Sequence, residues 1–493
     1  MTGEKIAEAG EGEIRTGSDT SAAHKEDQIE EIDSALEKKV LRKVDWHLIP
    51  ILFLLQLCSF IDRINIGNAR IQGLEKDLHM TGNDFNIALF LFFIPYILLE
   101  VPSNLLLKHV RPSLYIPGMI FFWGVITICQ GLTKSFGGLI ACRVLMGVFE
   151  SGFFPSNVYL MSMYYKRHEI QSRFTIYFSS GIVAGATSGL LAYAIAHIKT
   201  LGGYASWRWI FILEGLATVV IAISAFWLVP DWPETARFLT PDERTIILRR
   251  VAEDRAGATM NHWNKQTAKR IFSDVKIYLG VLMYIGITTT TYSGSLFIPT
   301  ILRQLGWTAV KAQVMSIPIY AVALVCTLTT AFLSDKLKHR YGFVVFGSVI
   351  STIGYVILLN MLSVKVGVRY FAVFLFLTGG FIVHPIIIIW LSNNVSGHYK
   401  SGVSSAMQLG FGNLSGIIAS NIYITKQAPT FKLGFGLGLG LVWLCVISAT
   451  VLLFYLMREN KLRNEGKRDD RFNLPEEELK NLGDDHPSFR FTY

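Results

Sequence analysis

Runs of about twenty apolar residues recur along this chain, and they constrain its fold more than any single motif does. A helix rises 1.5 Å per residue, so about 20 apolar residues cross the ~30 Å hydrocarbon core of a bilayer. Twelve spans can be placed, at about 47–67, 86–107, 113–132, 138–161, 174–197, 207–229, 274–301, 308–333, 342–363, 369–392, 402–424 and 433–456. Lipid offers the backbone no hydrogen bonds, and runs of this length satisfy it only as helix. The 493 residues are 51% hydrophobic and 17% charged, well below the roughly 25% charged of soluble domains. A single soluble core is excluded. The expected fold class is an all-α membrane protein with twelve transmembrane helices in two six-helix bundles.

The formal charge of +9 suggests nucleic acid until the basic residues are located. They lie in short segments between spans, a pattern that sets membrane orientation rather than building a nucleic-acid surface. Lys38, Lys39, Arg42, Lys43, Lys108, Arg111, Lys166, Arg167 and Arg173 fall on one side, with most of the central loop's basic residues. The other side is sparser, so both termini and the central loop are expected in the cytoplasm, with the plasma membrane as host. The expected organisation is a tail over 1–46, a bundle over 47–229, a loop over 230–273, a bundle over 274–456 and a tail over 457–493. Ile29, Ile32, Leu36 and Val40 form one helical stripe, read as an amphipathic helix over 28–46 lying on the membrane. In the loop, Thr240-Pro241-Asp242-Glu243 reads as a capping box that starts a short helix. The five cysteines all fall inside apolar runs without metal spacing, so they read as packing residues. No metal or cofactor is expected.

Two stretches of otherwise apolar sequence each carry an acid and a base: Phe60-Ile61-Asp62-Arg63, and Arg143 through Glu150. Ionisable groups at bilayer depth cost roughly 2.5–3.5 kcal/mol each on insertion scales and mark functional paths by default. Asp62 lies fifteen residues from His47, about 22 Å up; Arg143 comes out at a similar depth, about 7 Å below the outer edge. An Asp62–Arg143 ion pair is therefore open. Glu150 is nearer the midplane, two turns along the face that carries Arg143. Fully ionised, the four groups sum to zero, and protonating one acid leaves room for a monoanion. A fixed ion-pair lattice is the competing reading.

Two further patterns point to a divided molecule. Ser103-Asn104-Leu105-Leu106-Leu107-Lys108-His109 after the second span is echoed by Ser334-Asp335-Lys336-Leu337-Lys338-His339-Arg340 after the eighth. Two related bundles with a midplane site between them fit this echo. With it go Phe60-Ile-Asp-Arg-Ile-Asn-Ile-Gly-Asn-Ala69, Arg143 to Glu150 with Pro155, and Trp207-Arg-Trp-Ile-Phe-Ile-Leu-Glu-Gly215. Phe238-Leu-Thr-Pro-Asp-Glu-Arg244 and His486-Pro-Ser-Phe-Arg-Phe491 complete the set. From about Lys38 onward the chain resembles the major facilitator superfamily, and within it the fungal anion:cation symporters of the allantoate-permease type. The ending and Met315-Ser-Ile-Pro-Ile-Tyr320 resemble the nicotinate-carrier branch.

The resemblance implies a proton-coupled symporter that imports a small organic anion, a vitamin or other carboxylate, by alternating access. It implies proton coupling through Asp62 and Glu150 and substrate binding by Arg63 and Arg143. It implies gating by the echoed motif, with Asn104 where Asp is usual and Asp335, Lys336 and Arg340 in the second copy. The implied partners are the anion, the proton and the bilayer; a monomer that is not an enzyme is expected.

Other residues have two readings. His384, before Pro385, is either a second titrating group or a packed, hydrogen-bonded histidine. Trp390, Asn393 and Asn394 match the family pattern and either meet substrate, close a gate or cap a helix. Tyr292, beside the run Thr288–Thr291, is a candidate wall of the site. Gln408 and Asn413, among glycines, either line the cavity or hold helices together. An efflux antiporter and a non-transporting nutrient sensor remain as alternatives.

Overall fold

The computed structural model describes residues 34–107, 110–196, 203–256, 265–337, 339–428, 430–475, 478–479 and 481–493. Met1–Lys43 and Val44–Tyr493 are separate compact units. Of the expected amphipathic helix, residues 28–33 lie outside the described residues. From Ser34 the chain is helix without a break to Ile71.

The helices of the N-terminal half are α1 (Ser34–Ile71), α2 (Asp84–Leu107), α3 (Pro112–Leu132), α4 (Phe136–Glu150), α5 (Phe153–Tyr164), α6 (Arg167–Ala196) and α7 (Ser206–Leu228). Two short helices follow, α8 (Pro241–Ala256) and α9 (Lys265–Phe272). The second half holds α10 (Val275–Gln304), α11 (Ala309–Leu337), α12 (Tyr341–Leu359), α13 (Val366–Asn393), α14 (His398–Gly412), α15 (Leu414–Ile422) and α16 (Lys432–Asn464). Among the described residues ten helices are long and apolar enough to cross a membrane, α4 and α5 together counting as one. The other two expected spans are α2 and the pair α14–α15, which Asn413 divides into pieces each too short to span alone.

Local chemistry accounts for several boundaries. Ser135 caps α4, its Oγ accepting from Gly138 N at 3.2 Å. The capping box of α8 forms: Thr240 N donates to Glu243 Oε2 at 2.9 Å, and Glu243 N to Thr240 Oγ1 at 3.3 Å. Pro112 opens α3 after an extended Arg111, where a missing N–H costs nothing.

Helix α3 packs on α7 and α2 on α4; α12 packs on α13 and α10 on α16. Across the halves α6 meets α11, and α2 meets α15. The most apolar stretches of α10 and α13 are 89% and 83% buried, against 33% in α16. That difference makes α10 and α13 the inner wall and α16 a lipid-facing helix. Leu98, Trp227, Phe332 and Phe454 are exposed on the outside, as a hydrocarbon surroundings allows.

Two ends can be told apart. At the basic end, Arg173 clasps Asp45 with both nitrogens, at 2.5 and 2.8 Å, and Arg250 of α8 holds Glu169 at 2.6 Å. Residues 481–493 fold onto the same end. Lys276 and Lys400 reach Asp484 at 2.7 and 2.9 Å and Asp274 at 3.0 and 2.6 Å. Burial pushes the Asp274 carboxyl up, but the two ammonium groups outweigh it and hold the acid below its usual range. At the far end, Arg208 binds Asp77, which follows α1, and the Thr133 carbonyl, which precedes α4. Helices α1 and α4 therefore run antiparallel.

The far end is also where the halves close on each other. Arg303 donates to the Ile71 carbonyl at 2.8 Å, Gln72 to Gln313 at 3.2 Å and Asn86 to the Tyr423 carbonyl at 3.3 Å. A Cβ on Gly67 would lie 2.5 Å from the Leu296 carbonyl oxygen, so the backbones of α1 and α10 meet there only because the residue is glycine.

Candidate functional site

Between the halves lies a cavity of about 50 Å³, lined by Ser59, Arg63, Glu150, Tyr292, His384 and Asn413 among others. Two of these residues occupy helix breaks. Glu150 ends α4, just before Ser151 and Gly152 interrupt the helix, and Asn413 separates α14 from α15. Broken helices at membrane depth are tolerated where the freed backbone faces protein or a cavity.

Arg63 is the guanidinium of this cavity. Its Nη2 donates to Glu150 Oε1, which also accepts from Ser59 Oγ at 2.7 Å. Its Nη1 donates to the Tyr292 hydroxyl at 3.0 Å, tying α1 to α10. The rings of Phe60, Phe92, Tyr96 and Tyr292 surround it at 5.2–5.9 Å from their centroids. Two atoms of the pair have no hydrogen-bond partner: Arg63 Nε and Glu150 Oε2. From Tyr292 the chain of contacts continues, the hydroxyl donating to Asn413 Oδ1 at 3.2 Å, and Asn413 Nδ2 donating to Glu100 at 3.3 Å.

The ion pair open to Asp62 and Arg143 does not form. Asp62 Oδ2 instead accepts from Trp123 Nε1 at 2.6 Å and Thr218 Oγ1 at 3.2 Å, while Arg143 keeps Nε and Nη2 without a partner. Equal depth of Cα atoms is not enough. A helical side chain leaves its Cα toward the N-terminal end of its helix. Because α1 and α4 are antiparallel, Asp62 and Arg63 lean to the basic end and Arg143 to the far end. The same rule turns Arg63 and Glu150 toward each other, so α1 pairs with α4 one step deeper than depth alone suggested. Close packing supports this, since a Cβ on Gly147 would run into the Phe92 carbonyl and force α4 away from α2.

His384 is on the cavity wall opposite. Its Nδ1 is 3.3 Å from Thr291 Oγ1 and its Nε2 is 3.1 Å from the Tyr284 hydroxyl, with Phe178 of the other half against the ring at 4.7 Å. Gln408 faces away from the cavity, donating at 3.4 and 3.5 Å to the Gly280 and Ile387 carbonyls, and so joins α14 to α10 and α13.

Trp390, Asn393 and Asn394 are not at the cavity. Trp390 Nε1 and Asn394 Nδ2 donate to the Thr492 carbonyl at 3.1 and 3.0 Å, Thr492 N donates back to Asn394 at 2.8 Å, and Asn393 is exposed. Their partner is the folded end of the chain. Of the echoed motif, Asp335 pairs with Arg340 at 2.5 Å, Arg340 reaches Ser334 at 2.7 Å and Lys336 is exposed. The Asn104 side chain lies outside the described residues.

Sequence reasoning passed over two acids, Glu100 and Glu214, which are 5% and 6% exposed within apolar helices. Their signal was the one that singled out Asp62, a carboxyl inside an apolar run. Among the described residues no cluster of His, Cys, Asp or Glu could hold a metal ion.

Comparison with known proteins agrees with this architecture. Residues 52–420 match the model of the Major Facilitator Superfamily. An uncharacterized transporter of Schizosaccharomyces pombe is 34% identical over 426 residues, covering 86% of this chain and 85% of its own. The MFS-type transporter cnsO of Penicillium expansum is 33% identical over 476 residues, 93% of this chain and 91% of its own. In fold, the chain is similar to a bacterial homolog of the human lysosomal transporter Spinster in an inward-facing, occupied conformation. The TM-score is 0.59 at 16% identity, over 82% of this chain and 94% of that one. The chain thus belongs to the Major Facilitator Superfamily and is a membrane transporter of that type.

Proposed function

We propose that this transporter imports a small organic anion together with a proton. The observation that carries the reading is the Arg63–Glu150 pair on the cavity wall, in which one nitrogen of the base and one oxygen of the acid are left without partners. A substrate carboxylate suits Arg63, because a guanidinium can hold it with two parallel hydrogen bonds. To take that position it displaces Glu150. A buried carboxylate stripped of its cation is costly, and binding a proton removes the cost. One monoanion and one proton therefore arrive together with no net change in buried charge.

The positive-inside bias makes the basic end cytoplasmic, and the plasma membrane is the proposed host. The far-end closure then seals the cavity from outside, which is the arrangement for release inward. A water needs about 10–15 Å³ by this measure, so the cavity holds only a few waters. A ring-sized anion such as nicotinate requires the Arg63–Tyr292 contact, or Phe178 and His384, to part. Tyr292, Asn413 and His384 would then supply neutral hydrogen bonds around it, and Asp335 with Arg340 would latch the second half. The unit works as a monomer and uses the proton in place of a cofactor.

The test is uptake of radiolabelled nicotinate, pantothenate, biotin and allantoate into proteoliposomes at an acid and a neutral external pH. Glu150→Gln is expected to exchange the accepted anion across the membrane without accumulating it against a gradient. Accumulation equal to wild type would remove Glu150 from the coupling. Uptake that falls under an inward proton gradient would favour efflux by antiport, and binding without flux would favour a sensor.

A further inference from the structure

Glu214 lies in α7, outside the cavity, and neither of its carboxyl oxygens has a hydrogen-bond partner. Its neighbour Gly215 brings α7 into backbone contact with α3, since a Cβ there would lie 2.8 Å from Ile128 N and 2.9 Å from the Gly124 carbonyl oxygen. One turn further, Thr218 donates to Asp62 Oδ2, the oxygen that also takes the Trp123 indole N–H. Asp62 Oδ1 has no partner. Thr218 thus ties Asp62 to the face of α7 that carries Glu214 one turn earlier, and Cys58 is one turn before Asp62 on α1. Three of the four oxygens of these two acids are buried without a donor.

Among the described residues no cation reaches Glu214. Helix α3 has no charged residue. The charged pair Glu169 and Arg173 on α6 is at the basic end, bound to Arg250 and Asp45. Arg208, on α7 itself, is held by Asp77 and the carbonyls of Gly131 and Thr133. Arg143 and Glu150 act on Asp62. By donors, then, the acids rank clearly: Glu150 has a guanidinium and a hydroxyl, Asp62 an indole and a hydroxyl, and Glu214 has none.

We propose that Glu214 is a second proton-carrying carboxyl, which shares one proton with Asp62 inside the N-terminal half, apart from the Arg63–Glu150 pair. Two neighbouring buried carboxyls do not both ionise without a cation between them, and the one lacking donors keeps the proton. Glu214 holds the O–H while Asp62 carries the charge. When Asp62 takes a proton on Oδ1, the pair holds two; loss of the Glu214 proton, followed by transfer of the Asp62 proton to Glu214, restores the resting state. The proposal rests on the proton-coupled reading above, as the site from which the coupling proton is passed on.

Infrared difference spectroscopy of the full chain in lipid nanodiscs tests it without a substrate. Wild type is expected to show the C=O stretch of a protonated carboxylic acid at neutral pH, and Glu214→Gln to lose it. Gln is isosteric with the neutral acid, so the variant should keep the wild-type melting temperature. A band that survives in Glu214→Gln overturns the proposal. The second arm uses vesicles loaded with a pH dye and given nicotinate, in which wild type acidifies the lumen and Glu214→Gln does not. Lumen acidification equal to wild type by a variant that has lost the band overturns the coupling role. If wild type itself gives no acidification while the band is lost as expected, the nicotinate-symport reading falls and the protonated Glu214 stands.

Discussion

Two groups of buried charges in this molecule have opposite habits. At the basic end, Asp274, Lys276, Lys400 and Asp484 bind one another in a closed ring, each base touching both acids. Within the N-terminal half, Asp62, Arg63, Arg143, Glu150 and Glu214 are as deeply buried but keep atoms without partners. A satisfied cluster has one good arrangement and holds it. An under-satisfied one has several of similar energy, which is what a site that binds and releases an ion requires. Burial alone does not separate the two groups; in the ring every charge has two counter-charges within 3.0 Å, whereas Asp62, Arg143 and Glu214 have no ion pair among the described residues.

The largest expected effect follows from breaking the satisfied ring. Asp484→Ala leaves Lys276 and Lys400 sharing Asp274, with Asp485 4.0 Å from Lys400, and should cost about 3–5 kcal/mol, read as a lowered melting temperature in detergent. Acid should reproduce part of this loss. The Asp274 acid is held below the ordinary aspartate range of about 3.9, so its contribution is complete above that range and disappears as pH falls further. Removing an acid that has no cation should behave differently, as with Glu214→Gln above, where coupling changes and the melting temperature does not.

A middle-sized effect tests the far-end closure. Gly67→Val drives a branched side chain into the Leu296 carbonyl and should weaken the closed far end by about 1–3 kcal/mol. Spin labels on the far ends of α1 and α10 would report a wider mean distance; an unchanged distance would show that this contact does not hold the halves together. The smallest effect is expected at Trp390. Trp390→Phe loses one hydrogen bond to the Thr492 carbonyl, about 1 kcal/mol, and should leave anion affinity unchanged. A large change in affinity would return Trp390 to the binding site.

The fold was legible because apolar length and charge flanks depend only on composition along the chain. The cavity was partly legible: Arg63, Glu150, Tyr292, His384 and Asn413 do come together. The points left open share one cause. Placing Asp62 opposite Arg143 used rise per residue, but contact depends on where side chains lean in antiparallel helices. Trp390 and Asn394 admitted substrate, gate and capping readings alike, because one partner, the Thr492 backbone, is about a hundred residues away; Asn394 also caps its helix by donating to the Trp390 carbonyl at 2.9 Å. Gln408 looked equally suited to a cavity or to a helix joint, and only packing chose the joint.

By itself, then, the sequence determined that this chain spans a membrane as helices, which stretches carry the expensive charges, and which superfamily the motifs resemble. Those properties follow from transfer energies and helix rise, which are local. Only the tertiary structure decided which charges are paired, which oxygens are left without donors and where the halves close. Those depend on the direction of side chains on neighbouring antiparallel helices and on glycines that let backbones meet, and no one-dimensional spacing encodes either.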